Sequence, residues 1–169
     1  MGPQSAQPSS GWRVREATEA DRAALHRFLS ERYSARVARL GRVENPLDHP
    51  ALIAEDEDGA LAGVLTYVVT GHECEILTLH TATQWAGVGT ALIEAVESKA
   101  RRLRVLTTND NVDALRFYQR RGFRLRELHP GAVDESRRRL KPEIPETGEY
   151  GIPLRDEIVL EKEVPEWRP

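Results

Sequence analysis

The sequence predicts a mixed α/β (α+β) fold: a central sheet of about seven strands, antiparallel in its N-terminal part and flanked by helices. Three observations carry this. Short apolar stretches separated by turn residues follow one another from Ala51 to Leu79. From Gly89 onward, segments with apolar residues at helical spacing alternate with strand candidates, the pattern of a mixed sheet with helices packed on it. A chain of 169 residues, 40% hydrophobic and 30% charged, is also long enough to bury a sizeable core.

In chain order, Met1 to Ser10 are rich in Pro, Ser, Gln and Gly without the apolar stretch of a secretory signal. Residues 1–11 are therefore expected to be a disordered lead and 12–169 a single domain. Trp12-Arg13-Val14-Arg15 alternates as a short strand, and Thr18 with Asp21 offers a capping box for a helix running to about Ser30. Residues Glu31 to Leu40 are expected to continue as a second helix. Gly41 to Pro50, carrying Gly, Asn and two prolines, reads as a loop that could border a substrate cleft.

Ala51-Leu52-Ile53-Ala54 and Ala60 to Val69, joined by the acidic turn Glu55-Asp56-Glu57-Asp58-Gly59, form a hairpin signal. Gly71-His72 turns the chain into a third strand, Glu73 to Leu79. Helical stretches at Gly89 to Arg102 and Asn111 to Arg120 precede strands at Leu103 to Thr108 and Gly122 to Leu128. Pro130 to Gly151 holds a short basic helix followed by Pro142, Pro145 and Gly148, and Glu157 to Glu163 is the last strand.

Charge and composition exclude several classes. A net charge of -3 and a pI near 6.0 supply no sustained positive field for nucleic acid or an anionic membrane. The single cysteine, Cys74, forms no internal disulfide, and no run of about 18 apolar residues spans a bilayer. A soluble, cytoplasmic protein is expected.

The most informative stretch is Gln84-Trp85-Ala86-Gly87-Val88-Gly89, between a strand and a helix. Glycines at such a turn admit a ligand close to the backbone, and the first helical amides point outward at the positive end of the dipole, an arrangement that binds phosphate. The dinucleotide fingerprint fails because Leu92 stands where its last glycine belongs, and a P-loop fails for want of Gly-Lys-Ser/Thr. Gln84, Gly87 and Gly89 do match Q/R-x-x-G-x-G/A. One strand later, Asn111 through Phe123 match N-x-x-A-x-x-x-Y-x-x-x-G-F at every fixed position, with Asn111 suited to cap a helix and Gly122 to end it.

On these two motifs the sequence resembles the GCN5-related N-acetyltransferase (GNAT) superfamily. The likeness covers roughly Trp12 to Val164 and is strongest from Glu75 to Phe123; Leu106 to Leu125 also resembles uncharacterised bacterial members. The resemblance implies the GNAT fold, acetyl-CoA as cosubstrate, no metal, and a primary amine of a small molecule, peptide or protein as acceptor. It implies that the pyrophosphate lies on the backbone amides of Gln84, Trp85, Ala86, Gly87, Val88, Gly89 and Thr90, and the pantetheine arm beside Leu79 and Thr81 with Asn111 on its far side. By the same token Tyr118 meets the sulfur and serves as general acid, and an amide near Leu79 stabilises the oxyanion. A homodimer pairing through the last strand and the 130–151 excursion is a further implication, and a non-catalytic acetyl-CoA sensor is the competing class.

An alkyl amine with a pKa near ~10.4 must lose a proton before it attacks. Glu73 and Glu75, two apart on one strand, share a face and are the candidate bases, with family register favouring Glu73. Their other reading is as strand carboxylates opposite Lys or Arg. Cys74 points away from both and reads as a small buried residue, and His72 and His80 as structural or surface groups. Arg137-Arg138-Arg139 reads as a solvated helix face, from which one arginine could reach the cofactor's 3′-phosphate. Glu143, Glu146 and Glu149, with Glu44 and Asp48, are candidates to draw a cation toward the cleft.

Overall fold

The computed structural model describes residues 11–83 and 87–169. The lead expected over residues 1–11 lies, but for Gly11, outside the described residues, as do Gln84, Trp85 and Ala86. Strand β1 (Arg13–Glu16) is followed by a short 3-10 turn, whose capping box is the expected Thr18–Asp21 pair, and by helix α1 (Arg22–Ser30). The Thr18 amide donates to Asp21 Oδ2 at 2.7 Å.

The second helix expected over Glu31 to Leu40 does not form. Its place is taken by a hairpin, β2 (Val37–Arg39) and β3 (Arg42–Glu44), whose turn puts both Leu40 (φ 44) and Gly41 (φ 77) in the left-handed region. Long-range charge overrides the local helical pattern. The guanidinium of Arg39, only 3% exposed, ion-pairs with Glu75, and the Leu40 amide donates to Glu157 Oε2 at 3.0 Å. Outside this fold those buried groups would lack partners, so the hairpin tip is held against the sheet.

The remaining strands are β4 (Ala51–Glu55), β5 (Leu61–Thr70), β6 (Glu73–Thr81), β7 (Arg102–Thr108), β8 (Arg124–His129) and β9 (Glu157–Glu163). The helices are α2 (Val88–Glu97), α3 (Val112–Arg120) and α4 (Ala132–Arg139). The seven-stranded sheet runs β1-β4-β5-β6-β7-β9-β8, and only the β6–β7 pair is parallel. The antiparallel N-terminal part and the strand–helix alternation after it follow the expectation.

Alternation along β4 divides the core. Leu52 and Ala54 join Leu65, Ile76, Leu92, Leu103 and Leu160 on the face covered by α2 and α3, while Ala51 and Ile53 pack with Leu25, Phe28 and Val64 beside α1. Full burial of each such leucine is worth about 1.5–3 kcal/mol. Cys74, on the α2 side, is fully buried as expected, and burial pushes its thiol up to about 12.

One topological expectation is corrected. β9 is not an edge strand available to a second copy: it is bonded to β7 on one side and β8 on the other, so its backbone groups are spent within the sheet. The edge is β8, which exposes Leu125 and Leu128. Among the described residues no helix is long and apolar enough to cross a membrane.

Candidate functional site

The site begins where two strands separate. Parallel pairing of β6 with β7 runs from Glu73 opposite Arg102 to Ile76 opposite Val105 and ends there. At the same level β6 carries an extra residue against β5: Thr66 opposes Thr78 and Tyr67 opposes Ile76, leaving Leu77 as a bulge. A bulge bends and twists its strand and switches which face the following side chains point to. Beyond it Leu79 joins the α2-side core, whereas Thr78 and His80 turn to the other face, where Thr78 Oγ1 meets Thr66 Oγ1 at 2.6 Å.

The opening so made is a cleft of about 670 Å³ bounded by the end of β6, the start of α2 and one face of α3. Leu79, Thr81, Gly87, Val88, Gly89, Thr90, Asn111 and Tyr118, eight of the residues expected from the sequence, all line it. A larger and more open depression, about 800 Å³ beside α1, brings together none of them.

The α2 end is built to present backbone amides. Gly87, with φ 83, adopts a left-handed conformation ahead of the helix, no side chain among the described residues caps it, and the helix's bonding opens with the Ala91 amide donating to the Gly87 carbonyl at 3.1 Å. A Cβ at Gly89 would lie 3.0 Å from the Phe117 ring, so the close approach of α2 to α3 favours the smallest residues there.

Helix α3 supplies the opposite wall. Asn111 caps it, its Oδ1 accepting from the Ala114 amide at 3.1 Å, which leaves the side-chain NH₂ to face the cleft. Asp113, Arg116, Phe117 and Arg120 recur at helical spacing on the cleft side, joined by Arg121 just past the helix end. Arg121 lies 3.6 Å from the centre of the Phe117 ring and donates through Nε to Thr90 Oγ1 at 2.9 Å. The cleft is thus basic at the C-terminal end of α3 and acidic at its N-terminal end, where Asp113 and Glu149 lie.

Tyr118 is 6% exposed, packed edge-on between Phe117 and Phe123 with ring centres 5.2 Å from each. Burial raises its phenol above the ordinary tyrosine value, and its hydroxyl makes no hydrogen bond among the described residues. His80 also lines the cleft, with Nε2 2.7 Å from Ser34 Oγ. Desolvation, helped by Arg32, holds it down to about 4, so it is uncharged at neutral pH.

Glu73 and Glu75 do not line the cleft. They project from the opposite face of β6, Glu75 paired with Arg39 and Glu73 3.9 Å from Arg102. The arginines of α4 are also committed elsewhere: Arg137 donates to the carbonyls of Ile144, Pro145 and Leu154, and Arg138 and Arg139 pair with Glu135. None lines the cleft, and of the acidic loop residues only Glu149 does. Arg116, Phe117, Arg120, Arg121, Asp113 and His80 were missed by motif reasoning. For the α3 group the signal was present in their three- and four-residue spacing around Tyr118.

The model of the Acetyltransferase (GNAT) family matches residues 14–123. The uncharacterised Bacillus subtilis (strain 168) protein YdhI is 46% identical over 114 residues, 64% of this chain and 71% of that protein. Among solved structures, the IAA acetyltransferase of Bacillus cereus ATCC 14579 shares 23% identity with a TM-score of 0.63, covering 90% of this chain and 99% of that one. A GNAT family acetyltransferase of Elizabethkingia anophelis with acetyl-CoA bound shares 19% identity with a TM-score of 0.61, covering 90% of this chain and 98% of that one.

Proposed function

The chain belongs to the GNAT acetyltransferase family, and from that membership we propose that it transfers acetyl from acetyl-CoA to a primary amine of a small molecule, peptide or protein, by direct attack within a ternary complex. The observation that carries the reading is the convergence on one cleft of the amide-presenting start of α2, three arginines of the α3 region and the buried phenol of Tyr118.

Acetyl-CoA supplies an acetyl group activated as a thioester. The amides of Val88, Gly89 and Thr90, with Arg121 beside them, suit its phosphates. Leu79 and Thr81 line the path of the pantetheine arm, and the Asn111 NH₂ is free to donate to one of its carbonyls. Gln84, Trp85 and Ala86 complete the phosphate turn on this reading.

As the amine nitrogen bonds to the acetyl carbon and the carbon–sulfur bond breaks, Tyr118 protonates the departing sulfur. Burial holds the phenol in its protonated form, so it enters the reaction with a proton to give. The proton shed by the amine leaves the cleft through water, with Glu73 or Glu75 on the far face of β6 as the proposed final acceptor, each beside an arginine. On the same reading the protein is cytoplasmic, and a homodimer would form through the exposed β8 edge.

The test is acetyl-CoA thiol release over a panel of amines, run beside thermal stabilisation by acetyl-CoA alone. Amine-dependent release supports the transferase, and stabilisation without release by any amine points to a non-catalytic acetyl-CoA sensor instead.

A further inference from the structure

The segment from 140 to 155, between α4 and β9, crosses the acidic end of the cleft and is fastened on both sides. At one side Lys141 Nζ donates to the Arg36 carbonyl at 3.0 Å. At the other, Asn109 Nδ2 donates to the Pro153 carbonyl at 2.8 Å, and Asn109 Oδ1 accepts from the amides of Arg155 and Asp156, each at 3.0 Å. Tyr150, held at φ 56, donates its hydroxyl to Asp113 at 2.8 Å. A left-handed backbone at a residue other than glycine is strained and persists where its surroundings hold it.

The tightest fastening lies beside Glu149. The buried carboxylate of Asp110 accepts the Glu149 amide at 2.9 Å, and a side chain at Gly148 would lie 2.1 Å from Asp110 Oδ2. These bonds employ the neighbouring carboxylates: Asp110 with Thr108 and the Glu149 amide, Asp113 with Tyr150. The Glu149 carboxylate, which lines the cleft with Tyr118 and Leu79, makes no hydrogen bond or ion pair among the described residues. Desolvation, then Asp110 and Asp113, raise its pKa, an unfavourable setting that an adjacent cation relieves.

Resting on the acetyltransferase reading, we infer that Glu149 is the residue that receives the acceptor's ammonium group, and that the strap selects cationic alkylamines over α-amino acids. The cofactor's phosphates belong at the basic end of the cleft, leaving the acidic end to the acceptor. Primary alkylamines are cations at neutral pH and are drawn to that end. A carboxylate next to the amine meets Glu149 and Asp113 on the cleft wall, with the buried Asp110 behind them, and like charge rejects it.

Phenethylamine and phenylalanine differ only by that carboxylate and form the deciding pair, with spermidine as a second cation. Wild-type kcat/KM for phenethylamine is expected to exceed that for phenylalanine by at least about tenfold, the magnitude of one charge contact. Glu149→Gln should raise KM for phenethylamine and spermidine about tenfold, narrow the gap to phenylalanine and leave acetyl-CoA affinity within about twofold. Glu149→Asp should recover part of the loss, and Gly148→Ala, which displaces the strap, should behave like Glu149→Gln. An unchanged amine KM in Glu149→Gln, or phenylalanine acetylated as readily as phenethylamine, overturns the inference. So does a protein that binds acetyl-CoA yet neither acetylates nor is further stabilised by phenethylamine or spermidine, an outcome that leaves the cofactor reading standing. Failure to bind acetyl-CoA at all brings down both.

Discussion

Arg121 reaches back from the end of α3 to the first turn of α2, where its Nε donates to Thr90 Oγ1 at 2.9 Å. The two helices that flank the cleft are tied by this bond at the point where the α2 amides emerge. Stacking on Phe117 holds the guanidinium flat, and a guanidinium so held can meet an anion through its remaining donors. Arg121→Ala is expected to weaken acetyl-CoA binding about 10–100-fold, the range of a charge-assisted contact of ~1.5–3 kcal/mol, with kcat changing little. Arg121→Lys, which keeps charge but not the planar fork, should recover less than half of that free energy. Calorimetric titration with acetyl-CoA measures both; unaltered affinity in the alanine variant removes Arg121 from the phosphate site.

Tyr118→Phe keeps the ring packed between Phe117 and Phe123 and removes only the hydroxyl. Turnover should fall by about 10²–10⁴-fold, the usual span for a general acid, with acetyl-CoA affinity preserved. Steady-state kinetics with a verified acceptor decide it, and full turnover in the variant assigns the sulfur's proton to another donor.

His80 titrates at about 4 in the folded protein because burial and Arg32 disfavour its cation, against ~6.5 in an unfolded chain. The unfolded state therefore takes up this proton first. The stability linked to His80 is complete above about pH 6.5 and is lost as pH falls toward about 4, by up to about 1.4 kcal/mol per unit. Urea unfolding across that interval should show a shallower loss for His80→Gln than for wild type; parallel curves would exclude His80 as the group responsible.

Arg39 is the cation beneath the β2–β3 hairpin, and Arg39→Ala leaves Glu75 without its partner and the buried Glu157 without its nearby positive charge. Removing one member of a buried pair costs about 3–5 kcal/mol, so chemical denaturation should report a loss in that range. Arg39→Ala with Glu75→Gln should be milder than Arg39→Ala alone, because the stranded charge is gone. Equal losses in the two would show that packing, and not charge, is what Arg39 provides.

The sheet and the cleft differ in how far the chain announces them. Strands such as β5 and β9 follow from local apolar pattern, and the start of α2 and both ends of α3 from Gly87, Asn111 and Gly122, each acting within a few residues of itself; α2 stops at Glu97, and Arg102, the expected end of that helix, is the first residue of β7. Gly122 takes the left-handed conformation expected of it, with φ 92. The hairpin at 37–44 could not be read in this way. Its cause is the meeting of Arg39 and the Leu40 amide with Glu75 and Glu157, residues 36 and 117 positions further along the chain. The same holds for the cleft. The first motif pointed to Gly89 and the second to Tyr118, but the wall formed by Arg116, Arg120 and Arg121 needed the helical wheel of α3; Glu149 is one of five acidic loop residues expected near the cleft, and the Asp110 clamp on its amide is what sets it apart from the other four.

The insertion of β9 between β7 and β8 has a consequence for how the molecule is made. During synthesis, β7 has no antiparallel neighbour, and β8 no neighbour in the sheet at all, until residues 157–163 have left the ribosome. A nascent chain stalled before that point would display the bare margin of β7, a template for pairing with other chains. Completion of the β7-β9-β8 part of the sheet is thereby tied to the emergence of residues 157–163.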